Sequence, residues 1–312
     1  MRSALIKILY HEDFMLHRPD PYPHPENPGR LREARAGLSM LTNYVSWIEP
    51  EEGPIEAYLE AHTQEYLNRI LTLANSGEVE FLDPDTYVSP GTPRAIRRLS
   101  GAVTSALDIV GRGEGPVLIL GRPPGHHAGR GGPALGAPTL GFCIVNTSAL
   151  LALRLWKHHG STAVVDFDAH HGNGTQEILW DTPIFHFDIH QDARTIYPGT
   201  GLERRTGYQG TKVNYNLRPG AGDREYEAVI REIGLELEEI DPDYIVVSAG
   251  FDAYRDDTPF VSLNATEKTF RLIGSMLSKW SGRTVIMLEG GYSTGLRHGL
   301  PSFIAGLLGV FS

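Results

Sequence analysis

The sequence predicts an α/β fold, a mainly parallel sheet with helices on both faces, and three observations predict it. Short runs of β-branched and aromatic apolar residues recur along the chain. Helix-period segments separate most of them, and stretches rich in Gly and Pro lie between these elements. Alternation of this kind means right-handed crossovers between parallel strands, and the loops at the strand ends are where such sheets hold ligands.

Taken in order, the expected strands cover residues 6–10, 117–121, 162–167, 184–187, 244–248 and 284–288. Runs this short and this apolar fit strands buried on both faces. A helix is expected from Asn146 or Thr147, either of which suits a cap, through Leu150, Leu151, Leu153 and Leu155 to near Gly160. Two more are expected over 223–240 and 265–280. The stretches 17–29, 81–93, 122–138 and 197–222 are long and rich in Gly and Pro. At least two of them abut the polar clusters described below, so they are read as pocket walls. No repeat or linker divides the chain, and one compact domain over residues 1–312 is expected.

Composition excludes several function classes. A net charge of −10 and a pI near 5.7 oppose a nucleic-acid surface, because phosphate contacts need clustered Lys and Arg. The longest apolar stretches, such as 149–156, are interrupted by Arg154 and fall short of the ~20 residues that span a bilayer, so no membrane association is expected. The first ten residues lack a signal-type apolar segment. The single cysteine, Cys143, sits in an apolar stretch and cannot form an internal disulfide, which points to a small buried residue in a reducing, cytoplasmic compartment.

Two acidic segments carry the chemistry. Asp166-Phe167-Asp168-Ala169-His170-His171-Gly172-Asn173 follows one expected strand, and Ser248-Ala249-Gly250-Phe251-Asp252-Ala253 spans the end of another. Alternate residues of an extended segment point the same way, so Asp168 and His170 can face one point with Asp166 a step behind. Asp252 closes the set. Three ligands and an open position are the pattern of a catalytic metal site, with Zn2+ the first choice and Fe2+ the alternative. Two carboxylates offset most of the ion's charge, so its bound water stays less acidic and a strong base must stand nearby. Arg122-Pro123-Pro124-Gly125-His126-His127-Ala128 supplies two adjacent imidazoles after the strand 117–121. One can take a proton and the other can stay protonated, with Asp166 and Asn173 as their orienting acceptors. Their unequal charge should hold the two histidines at different pKa values. Tyr292, in Glu289-Gly290-Gly291-Tyr292 after the last strand, can donate to a developing oxyanion.

With these motifs the chain resembles the zinc-dependent histone deacetylase superfamily over most of its length. The combination of His24-Pro25-Glu26-Asn27-Pro28, the Pro-Pro-Gly-His-His-Ala run, Asn173 and Ser248-Ala249-Gly250-Phe251-Asp252-Ala253 is most similar to class II deacetylases and acetylpolyamine amidohydrolases. The resemblance implies an arginase/deacetylase-like three-layer sandwich around a mainly parallel sheet of eight strands. It implies Asp168, His170 and Asp252 as zinc ligands, His126 and His127 as the catalytic pair backed by Asp166 and Asn173, and Tyr292 as the carbonyl-polarising residue. Gly141 and Phe142 match one side of an acyl-lysine tunnel, and Tyr197 stands where the family commonly has a phenylalanine wall. A structural K+ is implied at main-chain oxygens of Asp166, Asp168 and His170 together with Asp188 and Ile189, with Asp188 in place of a usual serine. Arg30 matches an arginine near an internal product channel.

The implied activity is hydrolysis of an acyl amide on lysine or a related primary amine, with acetylpolyamines as the alternative substrate. Phe260 falls where polyamine-selective relatives carry an acidic gatekeeper, which favours acyl-lysine, although Asp256 and Asp257 leave acidic charge nearby. A two-metal, arginase-like hydrolysis is disfavoured because Ala253 and Tyr254 follow Asp252 in place of further carboxylates. A catalytically silent binding module is disfavoured because the histidine pair and Tyr292 are all present. The long loops leave room for a homo-oligomer in which a second subunit shapes the entrance.

Overall fold

The computed structural model of this chain describes residues 5–310. The domain expected over 1–312 therefore includes residues 1–4 and 311–312, which lie outside the described residues. Its strands are β1 (Ile6–Leu9), β2 (Val45–Ile48), β3 (Glu80–Asp83), β4 (Thr86–Val88), β5 (Val117–Ile119), β6 (Thr162–Asp166), β7 (Phe185–Gln191), β8 (Arg205–Thr206), β9 (Lys212–Leu217), β10 (Tyr244–Ala249) and β11 (Thr284–Leu288). The α-helices are α1 (Gly29–Leu38), α2 (Gln64–Ala74), α3 (Thr92–Gly111), α4 (Thr147–His158), α5 (Asn173–Ile178), α6 (Asp223–Ile240), α7 (Glu267–Leu277) and α8 (Leu300–Leu308).

One sheet runs in the order β2-β1-β5-β11-β10-β6-β7-β9-β8, and β3 pairs with β4 in a separate hairpin. The first eight strands of that order are parallel, in number as expected, and the two-residue β8 adds a ninth, antiparallel edge. Helices cover both faces. α3 and α4 pack against β5, β6, β10 and β11, while α7 and α8 pack closely on each other and α6 and α1 flank them. Every residue of β5, β6, β10 and β11 is buried, which is why their sequences read as unbroken apolar runs.

Side-chain alternation at the strand ends separates core from site. Phe167, between Asp166 and Asp168, joins Phe251, Phe270 of α7 and Phe303 of α8 in an aromatic cluster with ring centroids 5.2–6.3 Å apart. The neighbouring aspartates are thereby directed away from that cluster. Because the sheet is parallel, the loops after β5, β11, β10, β6 and β7, five adjacent strands, all emerge at one edge.

The expected helix at 147 forms α4, capped by the Asn146 side chain, which accepts the Ala149 N–H at 2.8 Å. α6 spans the expected residues, and α7 covers most of 265–280 before the chain tightens into a 3₁₀ turn at Ser278–Arg283. Two stretches read as loops hold strands. The β3–β4 hairpin overlaps 81–93, and β9 lies in 197–222, where Val213, Tyr215 and Leu217 alternate with polar residues. Lys212 opens β9 fully buried, its ammonium donating to the Thr182 and Ile184 carbonyls and to Thr211 Oγ1.

Candidate metal centre and its pocket

At the C-terminal edge of the central strands, Asp168 and His170 after β6 meet Asp252 after β10. One ligand atom from each lies within 4.8 Å of the others. His170 Nδ1 is 3.1 Å from Asp168 Oδ1 and 2.9 Å from Asp252 Oδ2, although the latter oxygen, fully buried, receives no aligned hydrogen bond. Burial opposes a charge on His170, yet the two carboxylates raise its pKa to about 9. An orphaned buried carboxylate oxygen, a second carboxylate and an imidazole nitrogen aimed at one point make a donor set that fits a divalent cation. The Asp168 carboxylate also accepts the amides of His170 and Gly290, so its orientation is fixed by the backbone of two loops.

The histidine pair stands beside this point. His126 and His127 have ring centroids 4.0 Å apart, and His126 Nε2 is 3.8 Å from Asp168 Oδ1. His126 Nδ1 meets Asp166 Oδ2 at 3.0 Å, and His127 Nδ1 meets Asn173 Oδ1 at 2.8 Å. The Asn173 amide nitrogen donates to the Ala134 carbonyl, which assigns Oδ1 as the acceptor toward His127. His127 therefore carries its proton on Nδ1 and presents an unprotonated Nε2. Burial lowers the pKa of both rings. For His126 the carboxylates of Asp166 and Asp168 outweigh it and lift the value well above the ordinary range; for His127 the charges of His126 and His170 add to it and push the value well below.

The cavity over these residues holds about 370 Å3. Phe142 and Tyr197 face it, with His127 edge-on to the Tyr197 ring at 4.9 Å and His24 edge-on to Phe142 at 4.7 Å. Gly141 has φ +54°, and a Cβ there would come within 2.6 Å of the Tyr197 ring and 2.8 Å of the His127 ring, so only glycine lets the wall approach the histidine pair. The Tyr197 hydroxyl donates to the Thr139 carbonyl at 2.8 Å, which turns it into the rim rather than toward a bound acyl chain. Tyr292 also lines the cavity, 6.3 Å from the Phe142 ring, and burial holds its phenol well above the usual value, in the donor form. Phe260 sits at the mouth with 58% of its surface exposed.

Asp188 and Ile189 lie on β7 beside Asp166, behind the histidine pair and off the cavity. Asp188 Oδ1 bonds His190 Nδ1 at 2.6 Å and its Oδ2 accepts the Gly172 amide at 2.8 Å. Asp166, His186 and Asp188 also have ligand atoms within 4.8 Å of one another. His186 is completely buried with neither ring nitrogen hydrogen-bonded.

Several further residues support the site. Asp257 is buried and its carboxylate accepts the amides of Tyr292, Ser293 and Gly295, each at 2.8 Å, so it organises the tyrosine loop and adds no charge at the entrance. Glu26 bonds Arg122, Arg30 and Tyr87, and Arg30 donates to the carbonyls of Glu289 and Gly291 and lies 5.0 Å from the Tyr292 ring centre. Asp85 lines the mouth and accepts from Thr139 Oγ1. Arg30, Glu26 and Arg122 stand in motifs that the resemblance already singled out, whereas the only sequence signal for Asp85 is an acidic side chain inside a Gly- and Pro-rich loop. Among the described residues no helix is long and apolar enough to cross a membrane.

The sequence and the fold match known proteins. The model of the histone deacetylase domain matches residues 24–307. An uncharacterised protein of Methanocaldococcus jannaschii is 38% identical over 98% of this chain and 88% of its own length. Among solved structures, the HD domain of HDA15 superposes with a TM-score of 0.87 at 29% identity, covering 99% of this chain and 89% of that one. The acetylpolyamine aminohydrolase from Burkholderia pseudomallei superposes at 0.81 with 26% identity, covering 97% and 98%.

Proposed function

This chain belongs to the histone deacetylase domain family, and we propose that it is a metal-dependent amidohydrolase, one catalytic domain over residues 1–312, that removes the acyl group from acyl-lysine or a related acylated amine. The observation that carries this reading is the convergence of Asp168, His170 and Asp252 beside a histidine pair at the base of a cavity. Zn2+ is the proposed ion, with Fe2+ the alternative, since an oxygen-rich donor set separates the two weakly. A structural K+ at oxygen atoms of Asp166, Asp168, His170, Asp188 and Ile189 belongs to the same proposal, supported by the close approach of the Asp166 and Asp188 carboxyl groups. A cytoplasmic setting fits the single cysteine, Cys143, buried and unpaired.

When bound, the divalent ion polarises the acyl carbonyl and acidifies a water. His127 takes the water's proton on Nε2, because its Nδ1–H is committed to Asn173. His126, kept protonated by Asp166, holds positive charge beside the reacting carbon. As water adds to the carbonyl carbon, charge builds on its oxygen and the Tyr292 hydroxyl donates to it. A protonated imidazole of the pair then delivers its proton to the departing nitrogen. The C–N bond breaks, and a carboxylate and an amine leave. Phe142 and Tyr197 orient the linear methylene chain between their rings.

Phe260 at the mouth and the inward turn of Asp257 support acyl-lysine over acetylpolyamine, because the expected gatekeeper place holds a phenyl ring in place of a carboxylate. A substrate panel tests this. Values of kcat/KM are measured on an acetyl-lysine peptide, acetylputrescine and acetylspermidine, with and without chelator. The peptide should be preferred and chelation should abolish turnover. A large preference for the polyamines would reverse the substrate order, and inactivity toward all three would remove the hydrolase reading.

A further inference from the structure

Glu289 is fully buried at the end of β11, among the central strands, and the chemistry above makes no use of its side chain. An ionised or neutral carboxyl group in such a place costs several kcal/mol unless its oxygens are satisfied. They are satisfied by the catalytic loop. Glu289 Oε2 accepts the Gly125 amide at 2.7 Å and the His126 amide at 3.1 Å, and Oε1 accepts the Ser148 hydroxyl at 2.9 Å. The same residue's carbonyl is held by Arg30, and its amide donates to the Ala249 carbonyl of β10. Three residues further on stands Tyr292, and between them Gly290 donates its amide to Asp168.

From this arrangement we propose that Glu289 is a positioning residue that fixes the distance between the histidine pair and Tyr292 across the metal centre. The two groups lie on separate loops, after β5 and β11, which share no other side-chain tie of this kind through residues 125–126. Gly125 leaves the loop no slack on its far side, because a Cβ there would collide with the Val145 carbonyl. The His126 carbonyl is in turn fixed by the Thr175 amide at 3.0 Å. The carboxyl group thus ties the backbone that carries both imidazoles to the loop that carries Tyr292. Displacement of such a group by about 1 Å costs on the order of a hundredfold in rate.

The inference rests on the proposed hydrolase reading, and its test keeps the two separable. Glu289→Ala, Glu289→Gln and Ser148→Ala are compared with wild type for kcat, KM, bound metal per chain, and amide hydrogen exchange over residues 125–128 measured on the metal-free protein. Loss of both amide acceptors in Glu289→Ala should lower kcat by about 100-fold with KM and metal content unchanged, and exchange should accelerate. Glutamine keeps one oxygen for the two amides and can donate its NH2 to the Ser148 hydroxyl, so Glu289→Gln should recover kcat to within about fivefold and restore slow exchange. Ser148→Ala, which frees one oxygen only, should lower kcat by about fivefold. If Glu289→Ala does not fold, the other two variants decide. An unchanged kcat in Ser148→Ala, or a glutamine variant impaired by about 100-fold, overturns the inference. So does a loss of activity in Glu289→Ala that merely follows loss of metal. A wild type inactive on every acylated amine would overturn the hydrolase reading instead, while the exchange data would still report on the loop.

Discussion

At the scale of single residues, the proposed reaction divides the site into groups that meet the substrate and groups that hold them. Tyr292 lines the cavity and is the proposed oxyanion donor, so Tyr292→Phe should reduce kcat by about 100-fold or more while leaving metal content at the wild-type level. Steady-state kinetics with elemental analysis on the same samples checks it, and unchanged turnover would remove the oxyanion role. Asn173 sets the basicity of His127 with a neutral acceptor. Replacing it by a carboxylate stabilises the imidazolium, so Asn173→Asp should move the acid limb of the kcat/KM profile to higher pH, because activity requires His127 deprotonated. The touching groups were legible in the sequence because they cluster in short motifs at strand ends. Asp257 and Glu289 were not, because each acts on backbone amides of a distant loop, and such contacts leave no spacing or periodicity in the chain.

At the scale of elements, the buried strands β5, β6, β10 and β11 and the helices α4 and α6 follow from apolar runs, a capping Asn and helical periodicity. The strand β9 was hidden because its alternation sits inside a Gly-rich stretch and its first residue is a lysine, buried only through three acceptors that the sequence does not announce. The loop before α1 is tied to the loop after β5 by Glu26, which sits between Arg122 and Arg30 with all three side chains buried. Burial alone would raise the Glu26 pKa, but Arg122 and His17 hold it well below the ordinary value. Its contribution to stability is therefore present above the unfolded carboxylate range and is lost as pH falls through the folded value. Glu26→Gln should cost about 3–5 kcal/mol at neutral pH, since it leaves two buried guanidinium groups short of a charge partner. Urea unfolding at pH 7 measures it, and a cost below about 1 kcal/mol would show the network to be incidental.

At the scale of the whole molecule, a parallel sheet gathers loops that are more than a hundred residues apart in sequence onto one edge, and that gathering produces the centre. Asp168 and Asp252 are 84 residues apart in the chain, yet β6 and β10 are neighbours with Asp166 opposite Ser248. The alternation that sends Phe167 and Phe251 into the helix layer sends their neighbouring aspartates to the site, so core packing and metal chemistry are set by the same strand register. In the proposed reaction Asp168, His170 and Asp252 hold one catalytic divalent ion. The direct measurement is a titration of chelated wild type and Asp252→Asn with Zn2+, recording bound metal per chain and turnover of an acetyl-lysine peptide in the same samples. Wild type should take up one tightly held ion with activity rising in step, and Asp252→Asn should gain neither. Full turnover by the chelated protein, or activity that appears only after a second ion binds, would contradict it.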